Sequence, residues 1–533
     1  MSGIAADTST PDIQPPVFPR YYNAATDFID RHLDEGRGAH PAIIDDQGTY
    51  TYAELAELVN RAASAFRRLG LGQEDRVAMI MLDTVHFPAV FWGAIKAGII
   101  PVPVNTLLTT ANYEHILADS RAKALVISGS LLAQAQPILD QLPSLRHVIV
   151  DGDSAPGHQR LGTLLAEADS SFEATPTTCD DVAFWLYSSG STGAPKGVLH
   201  LHSHLRCTAE LYGTGVLGLE KDDIIFSAAK LFFAYGLGNA MTFPLLVGAT
   251  AVLMAERPTP DGVMRVLKTH QPTMFCGVPT LYAAILANEA NSRETASRQL
   301  RRCISAGEAL PSEVGKRWER RFGAEILDGV GSTEMLHIFL SNRPGQVRYG
   351  TSGVPVPGYG ARLVDENDED IAQGEVGELL VSGPTAAIGY WNQRRKSINT
   401  FMGPWTRTGD KYFMDEEGLY HICGRSDDML KVSGNWVSPF EVESTLIEHE
   451  AVLEAAVIPH ADENDLIKPK AYVVLKDGKT PSDALARELQ AFVKSRVAPW
   501  KYPRWIEFID TLPKTSTGKV QRFRLRELDQ GQS

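Results

Sequence analysis

The stretch YSSGSTGAPKGVLH, residues Tyr187–His200, decides the fold, because it places phosphate-binding groups directly after a strand-like run. A Walker phosphate loop requires glycine before its lysine and a hydroxyl residue after it. Here Pro195 precedes Lys196 and Gly197 follows it, so this loop is of a different kind. Its hydroxyls, glycines and lysine suit the phosphates of ATP. The candidate contacts are Ser188, Ser189, Gly190, Ser191, Thr192, Gly193 and Lys196.

The residues before the loop predict its position. The run DVAFWLY, residues 181–187, is typical of a buried strand, which places the loop at the carboxyl end of that strand. The alternative is a solvated serine-glycine linker. Such linkers rarely follow a buried strand or end in Pro-Lys-Gly, so we predict a phosphate-holding loop.

Length and composition limit the functions that this loop can serve. The chain has 533 residues, which indicates several subdomains at about 150 residues per domain. Hydrophobic residues make up 44% and charged residues 22%, as in ordinary globular proteins. The net charge of −14 argues against nucleic acid as a partner, and it predicts that local basic groups attract any anionic ligand.

Cysteine usage and the apolar segments predict a cytoplasmic protein. The five cysteines are scattered without a C-x-x-C pair, which indicates free thiols rather than disulfides or a zinc site. The N-terminus lacks the pattern of a signal peptide. The most apolar stretch, FPAVFWGAIKAGIIPVPVN, is interrupted by Lys96, Gly98, Pro101 and Pro103, so it predicts a buried helix followed by a strand and no membrane span.

The pattern along the chain predicts an α/β fold. Apolar strands alternate with amphipathic helices over about residues 42–340, which indicates layered α/β subdomains with largely parallel sheets. Short glycine-rich strands over about residues 350–420 indicate a small β-rich subdomain. After Arg425 the order helix, strand, strand, helix, strand predicts a small mobile α+β domain. We expect a disordered N-terminus at 1–15, an N-terminal domain at 16–426 and a C-terminal domain at 427–533.

Two further stretches offer metal and ribose contacts. In DGVGSTEM, which begins at Asp328, Glu334 suits Mg²⁺ and Thr333 suits a phosphate, although the stretch also fits a helix start capped by Ser332. In TRTGDKY, Asp410 suits two ribose hydroxyls, although an aspartate in a turn is equally common.

Two basic stretches lie in the C-terminal part. GRSDDMLKVSGNWVSPFEVE contains Arg425 and Lys431 at the expected domain boundary, and alone it is equally typical of a charged, solvated hairpin. PKTSTGKVQR contains Lys514, Lys519 and Arg522 around a glycine, and alone it favours a solvated basic tail.

Together and in this order, these five stretches resemble the motifs of the adenylate-forming superfamily, which includes acyl-CoA synthetases, nonribosomal adenylation domains and luciferases. The resemblance covers about residues 50–522, and five ordered motifs make it specific. Within this superfamily the chain resembles the benzoate-CoA ligases, through KLFFAYGLGNAMTFPLLVGA, DGVGSTEMLHIFLSN and GRSDDMLKVSGNWVSPFEVE.

The resemblance implies two half-reactions that serve the catabolism of aromatic compounds. An aryl carboxylate attacks the α-phosphorus of MgATP to give acyl-AMP and pyrophosphate, and the thiol of coenzyme A then expels AMP. The first step requires positioning and charge neutralisation more than a covalent nucleophile. The implied substrates and cofactor are the acid, ATP, coenzyme A and Mg²⁺.

The resemblance also implies roles for individual residues. Lys519, Thr333 and Glu334 would be catalytic, with Lys519 bridging the carboxylate and the α-phosphate and Glu334 binding the metal. Asp427 would be the hinge between the domains, next to a coenzyme A tunnel with Lys431 and Gly434. The remaining nucleotide contacts would be Ala306, Gly307, Glu308, Asp328, Gly329, Asp410 and Arg425.

The implied acyl pocket depends on one position without a side chain. Relatives that take acetate have tryptophan in the place of Gly331, so glycine here is expected to admit a flat ring. For His337 the alternative is a core histidine bonded to the backbone. The expected pocket residues are Ala234, Tyr235, Gly236, Gly331, Leu336, His337 and Ile338.

Two other functions stay open at this point. One is transfer of the acyl group to the phosphopantetheine of a carrier protein, although this chain contains no carrier domain. The other is a nucleotide-binding regulator without catalysis, against which Lys519 and Glu334 argue. The preferred benzoate and the choice between monomer and homodimer also stay open, and a lysine acetyltransferase acting on Lys519 is a further expected partner.

Overall fold

The computed structural model describes residues 13–153, 157–188, 194–425, 428–432, 435–463, 466–498, 500–514 and 520–531. The strands are, in chain order, β1 Pro41–Asp45, β2 Gly48–Thr51, β3 Arg76–Ile80, β4 Ile100–Pro103, β5 Ala124–Ser128, β6 His147–Asp151, β7 Gln159–Arg160, β8 Val182–Ser188, β9 Lys196–Leu201, β10 Ile224–Ser227, β11 Thr250–Val252, β12 Met274–Gly277, β13 Arg302–Ser305, β14 Ile326–Gly331, β15 Ile338–Ser341, β16 Val354–Pro355, β17 Gly360–Val364, β18 Gly377–Ser382, β19 Phe401–Met402, β20 Trp405–Met414, β21 Tyr420–Arg425, β22 Leu430–Val432, β23 Asn435–Val437, β24 Val452–Ala461, β25 Ile467–Leu475 and β26 Trp505–Phe508.

The α-helices are, in chain order, α1 Arg31–Asp34, α2 Tyr52–Arg68, α3 His86–Lys96, α4 Thr110–Ser120, α5 Leu132–Leu139, α6 Leu161–Glu167, α7 His202–Thr208, α8 Ala234–Leu237, α9 Phe243–Val247, α10 Pro260–His270, α11 Pro279–Ala287, α12 Ser312–Phe322, α13 Arg394–Thr400, α14 Pro439–Ile447, α15 Asp483–Lys494 and α16 Arg522–Gly531. Short turns of π-helix cover Thr26–Asp30, Ala209–Thr214 and Gly238–Thr242, and a 3₁₀ turn covers Gly129–Leu131.

Two sheets with parallel strands form the larger part of the chain. The first has the order β4-β3-β5-β6-β7 and is parallel throughout. The second has the order β16-β15-β14-β13-β12-β10-β11-β1-β2, and its strands from β14 to β1 are parallel. β2, β15 and β16 add antiparallel pairs at its edges. Parallel strands need crossover connections, which place helices on the faces of both sheets.

Neighbouring residues of one strand pack into different cores, which shows that the sheets are covered on both faces. Along β12, Met274 lies in the central core, whereas Phe275 lies in a second core with α10, α11 and α12. Along β3, Val77 lies in the central core, whereas Ala78 lies in a third core with α4 and α5. The central core also contains α2 and α3 and residues of both sheets, so the predicted layered α/β arrangement is confirmed.

Local sequence sets the ends of the helices between the sheets. The Thr51 side chain accepts from the backbone N–H of Glu54, whose carboxylate accepts from the N–H of Thr51, so a capping box starts α2. The buried α3 runs into β4, as the apolar stretch with its prolines predicted.

The remaining sheets include the predicted small β-rich subdomain and the sheet of the C-terminal part. β8 and β9 form an antiparallel hairpin, and β17-β18-β20-β19, with β21 beside β20, form the small antiparallel sheet. In the C-terminal part, the sheet β24-β25-β26 packs with α14 and α15, which confirms the predicted order of elements. The chain after the stretch PKTSTGKVQR continues as α16, which begins at Arg522.

The N-terminal segment is ordered earlier than predicted. Ile13 already packs against the central core, so residues 13–15 belong to the folded chain rather than to a disordered N-terminus. The domain boundary at residue 427 lies at positions outside the described residues and stays a prediction.

Every cysteine is free, and Cys207, Cys276, Cys303 and Cys423 are buried. Within the part of the chain that the structure describes, no helix has both the length and the apolar surface needed to span a membrane.

Candidate active site

The predicted phosphate loop connects β8 to β9. Ser188 pairs with Lys196 and Tyr187 with Gly197, so strand pairing holds the base of the loop. The hydroxyl oxygen of Ser188 is buried and has no hydrogen-bond partner among the described residues. The other predicted contacts of this loop lie outside those residues, and they are Ser189, Gly190, Ser191, Thr192 and Gly193.

Lys196 meets the predicted metal ligand. Its Nζ lies 3.2 Å from Oε1 of Glu334, and the hydroxyl of Tyr390 donates to the same Oε1 at 2.8 Å. The Nζ also lies 3.9 Å from the centroid of the Tyr390 ring. Burial opposes ionisation of Glu334, but Lys196 and Tyr390 outweigh it and hold the pKa of Glu334 below its usual value. Glu334 is therefore a carboxylate at neutral pH.

The backbone around Thr333 and Glu334 is fixed from two sides. The imidazole of His200 lies with Nε2 2.8 Å from the carbonyl oxygen of Thr333. Burial lowers the pKa of His200 to about 4, so the neutral ring donates from Nε2 to this carbonyl. On the other side, the N–H of Ala387 donates to the carbonyl of Glu334 at 2.8 Å.

The predicted ribose contacts are paired by sheet register. Asp410 of β20 is the partner of Arg425 in β21, and Nη1 of Arg425 donates to Oδ1 of Asp410 at 3.0 Å. The carboxylate of Asp410 is almost buried, whereas the side chain of Arg425 is 52% exposed. The arrangement gives a fixed carboxylate that suits two adjacent hydroxyls.

The predicted adenine contacts lie at the carboxyl ends of neighbouring parallel strands. Ser305 of β13 pairs with Asp328 of β14, and Ala306 and Gly307 follow directly in the chain. Burial raises the pKa of Asp328 to about 8. Its Oδ1 is buried without a hydrogen-bond partner among the described residues, which fits a contact to the amino group of a purine. The other two predicted contacts are Glu308 and Gly329.

The predicted acyl pocket residues meet around His337. Nε2 of His337 lies 3.2 Å from the carbonyl oxygen of Tyr235, and its ring packs 4.6 Å from Phe243 and 5.7 Å from Tyr235 between centroids. Burial lowers the pKa of His337 to about 3, so the ring is neutral. The alternative of a buried histidine bonded to backbone therefore describes its geometry, and its role in an acyl pocket stays a prediction.

Gly331 has a different reason to be glycine than the sequence indicated. Gly331 pairs with Ile338 in β15. A Cβ on Gly331 would lie 2.5 Å from the carbonyl oxygen of His337 and 2.8 Å from the N atom of Ile338. The space next to Gly331 is therefore occupied by backbone, so a larger residue would displace His337 and the start of β15.

Asp83 and Lys230, which the sequence reasoning missed, hold the loop that carries Ala234 and Tyr235. The Nζ of Lys230 donates to the carbonyl oxygens of Met254 and Glu256, at 2.7 Å for Glu256, and lies 4.0 Å from Asp83. The buried carboxyl of Asp83 accepts from the N–H of Leu231 at 3.3 Å.

The same loop closes on itself at Gly236. A Cβ on Gly236 would meet the carbonyl oxygens of Ala229 and Lys230. Only glycine allows the backbone at residue 236 to come this close to the two carbonyls. The hydrogen bonds of the Lys230 ammonium and the missing side chain at Gly236 therefore together fix the conformation of this loop.

The predicted residues of the C-terminal domain are described only in part. Lys519, Asp427 and Gly434 lie outside the described residues, and Lys431 lies in β22, of which only the backbone is described at this position. Lys514 pairs with Val520, so the ends of the segment that contains Lys519 lie side by side.

Comparison with known proteins places the chain in context. The sequence profile described as AMP-binding enzyme matches residues 30–391, and the profile of the C-terminal domain of these enzymes matches residues 441–519. A benzoate–CoA ligase of Thauera aromatica is 59% identical over 95% of this chain and 96% of its own length. A 4-hydroxybenzoate–CoA/benzoate–CoA ligase of Rhodopseudomonas palustris is 53% identical over 96% of this chain and 95% of its own.

A solved structure shows the same similarity in three dimensions. The crystal structure of a benzoate CoA ligase from Burkholderia xenovorans LB400 superposes with a TM-score of 0.89 at 52% identity. It covers 95% of this chain and 100% of the other.

Proposed function

This chain belongs to the AMP-binding enzyme family, and we propose that it is a benzoate–CoA ligase whose reaction runs through the site around Glu334. The reaction converts benzoate, ATP and coenzyme A to benzoyl-CoA, AMP and pyrophosphate through benzoyl-AMP. The observation that carries the proposal is the 3.2 Å approach of Lys196 to Glu334, which joins two separate phosphate-binding motifs in one site.

In the first half-reaction, charge on the phosphates has to be neutralised while the carboxylate attacks. Lys196 supplies a cation next to the phosphate loop, and Glu334 offers a carboxylate of the kind that binds Mg²⁺ together with substrate phosphates. When bound there, Mg²⁺ supplies further positive charge. Lys196 would stabilise the negative charge that develops on the phosphates during the transfer, and Glu334 would act by holding the metal ion next to them.

The nucleotide is held by three fixed carboxyl or guanidinium groups. Asp410, oriented by Arg425, accepts from the ribose hydroxyls. The buried Oδ1 of Asp328 accepts from the purine amino group. These groups do not react. They keep the α-phosphorus in a fixed position relative to the acid, which is the positioning part of catalysis.

The acyl pocket favours an aryl acid because of its aromatic walls. Tyr235 and the neutral ring of His337 stack with an interplanar angle of 29°, and Phe243 closes the other side of His337. The hydroxyl of Tyr235 donates to the carbonyl of Ile304 at 3.0 Å, so its ring is fixed. A planar ring of benzoate size fits such walls without burying an unpaired charge.

Lys519 and the hinge complete the proposed cycle. Lys519 bridges the carboxylate and the α-phosphate in the first step, and rotation at Asp427 then exposes the acyl-AMP to the thiol of coenzyme A. Both roles follow from the match of these positions to the family motifs. The carrier-protein alternative shares the first step and differs only in the thiol that accepts the acyl group.

The test is a reaction of the purified protein with benzoate, ATP, Mg²⁺ and coenzyme A. We expect equal amounts of AMP and benzoyl-CoA, and without coenzyme A we expect benzoate-dependent exchange of pyrophosphate into ATP. The panel includes 4-hydroxybenzoate, 2-aminobenzoate and acetate, with Glu334→Gln as the inactive control. ATP binding without exchange for any aryl acid would support a non-catalytic regulator and exclude the ligase.

A further inference from the structure

We propose that Tyr390 is a positioning residue for Glu334, and that the segment Thr385–Trp391 sets the distance between Glu334 and Lys196. The proposal rests on the function proposed above. The sequence gives no sign of this role, because Tyr390 lies in the stretch GYWN outside every motif discussed above.

The segment is hydrogen-bonded to both halves of the phosphate site. On one side, the N–H groups of Ile388 and Trp391 donate to the carbonyls of Leu199 and Gly197 in β9, at 3.2 and 2.8 Å. On the other side, the hydroxyl of Thr385 donates to the carbonyl of Met335 at 2.7 Å.

The N–H of Ala387 adds a second bond on this side, to the carbonyl of Glu334 at 2.8 Å. A shift of the segment thus moves the backbone of Lys196 relative to that of Glu334. The side chain of His200 in β9 also donates directly to the carbonyl of Thr333 at 2.8 Å, so the segment adds a second link between β9 and residues 333–335.

Tyr390 is held firmly at the centre of this segment. Its side chain is 6% exposed, its ring packs 5.3 Å from that of Phe401, and its N–H donates to Oγ of Ser397 at 2.9 Å. Its hydroxyl donates to Oε1 of Glu334 at 2.8 Å. A donor fixed in this way orients the carboxylate that it contacts.

Tyr390 and Lys196 both contact Oε1 of Glu334, but they differ in their roles, because only Lys196 carries a positive charge. Lys196 is a cation on a flexible stem, and phosphate groups offer it a second anionic partner. Tyr390 is a neutral donor on a buried, packed ring, so it keeps Glu334 oriented when Lys196 turns to the phosphates. Loss of the hydroxyl leaves Glu334 with Lys196 as its remaining partner in this group, and the lysine then competes with the metal.

The deciding experiment compares Tyr390→Phe with Tyr22→Phe. Both variants lose a hydroxyl that donates to a carboxylate, at 2.8 Å in Tyr390 and at 2.9 Å to Asp27 in Tyr22. The two side chains are equally buried, at 6% and 7% exposed. Tyr390→Phe keeps the ring beneath Lys196. The measurement is the affinity for ATP by calorimetry, without benzoate, over a series of Mg²⁺ concentrations and in EDTA.

We expect Tyr390→Phe to raise the Mg²⁺ concentration for half-maximal ATP affinity about tenfold, as for loss of one hydrogen bond to a charged group. Affinity in EDTA and the behaviour of Tyr22→Phe stay as in the wild type. Equal weakening with and without Mg²⁺, or an unchanged Mg²⁺ titration, overturns the proposal. These binding data do not depend on turnover, so failure of the wild type to adenylate aryl acids counts against the proposed function alone.

A second variant covers the case that Tyr390→Phe does not fold. Ser397→Ala removes the acceptor for the N–H of Tyr390 and leaves the hydroxyl in place. We expect a Mg²⁺ shift in the same direction and smaller, about threefold, as for a neutral hydrogen bond. A folded Ser397→Ala protein with the wild-type Mg²⁺ titration overturns the role of the segment.

Discussion

Arg522 donates to both carboxylate oxygens of Glu443, at 2.8 Å to Oε1 and 2.7 Å to Oε2. The side chains are 11% and 7% exposed. Burial opposes the charge of Arg522, but nearby carboxylates raise its pKa. They belong to Glu443, Asp428 and Glu308. The pair fixes the start of α16 to α14.

Because of this ion pair, we expect a substitution of Arg522 to impair the first half-reaction more than the second. Arg522 follows Lys519 by three residues, a span of at most about 11 Å, so loosening Arg522 moves the lysine. We expect Arg522→Met to lose stability by about 3 kcal/mol, since Glu443 stays buried without its ion-pair partner and keeps only the N–H of Val457 as a donor among the contacts described. Benzoate-dependent pyrophosphate exchange falls at least tenfold, while benzoyl-CoA formation from supplied benzoyl-AMP changes little. Lys479→Ala, which breaks an exposed pair with Glu450, is the control and should change neither rate.

Substitutions of Gly331 distinguish two effects, a side chain that fills the ring pocket and a Cβ that displaces the neighbouring backbone. Because a Cβ at this position would overlap the backbone of His337, we expect Gly331→Trp to abolish turnover of benzoate and of acetate alike. Gly331→Ala should already lower kcat/KM for benzoate about tenfold or more. Steady-state kinetics with both acids provide the measurement. Acetate turnover by the tryptophan variant would instead show that the side chain only fills the ring pocket.

Lys519 is expected to act in the first half-reaction only. A lysine between carboxylate and α-phosphate stabilises charge in the first transition state, and loss of such a donor costs about 10²–10³ in rate. We therefore expect Lys519→Ala, or acetylation of Lys519, to block benzoyl-AMP synthesis. With preformed benzoyl-AMP and coenzyme A, the same protein should form benzoyl-CoA at close to the wild-type rate. Equal loss of both reactions contradicts this division of labour.

The buried carboxyl of Asp83 is expected to make the free energy of unfolding depend on pH. Burial raises its pKa from 3.8 to about 6, so the native state holds a proton that the unfolded chain has already released between these pH values. The free energy of unfolding of the wild type therefore falls as pH rises through this window. Asp83→Asn removes this effect, and its stability relative to wild type should improve by about 2–3 kcal/mol from pH 4 to pH 7.

Urea unfolding at both pH values measures the difference between Asp83→Asn and the wild type. The exposed Asp222 supplies the control, and Asp222→Asn measures the effect of removing an aspartate charge at the surface. An Asp83→Asn difference that is constant with pH would mean that the pKa of Asp83 does not change on folding.

The sequence predicted those parts of the site that lie within short motifs. Glu334, Lys196, Asp410 and Arg425 each belong to a stretch with recognisable chemistry, and folding brings Lys196 to Glu334 and Asp410 to Arg425. Tyr390 was missed because its partners lie far from it in the chain, so no local spacing reveals them.

Gly331 marks a second limit of prediction from sequence. The sequence shows that Gly331 has no side chain. The direction in which a Cβ would point, however, depends on the pairing of β14 with β15. Layered α/β structure, in contrast, follows from alternating patterns along each segment, and it was predicted throughout the N-terminal domain.

The segment Thr385–Trp391 also bears on how the protein is made. The parallel strands of both sheets and the phosphate hairpin are encoded before residue 342, yet the hydrogen bonds from the segment that link β9 to the backbone of Glu334 and Met335 come from residues translated later. Domains generally begin to fold from the N-terminus while synthesis continues. A nascent chain on the ribosome therefore passes through a stage in which most of its α/β strands exist without a completed nucleotide site, and ATP gains its full set of contacts only after this segment and the later Asp410 and Arg425 have emerged.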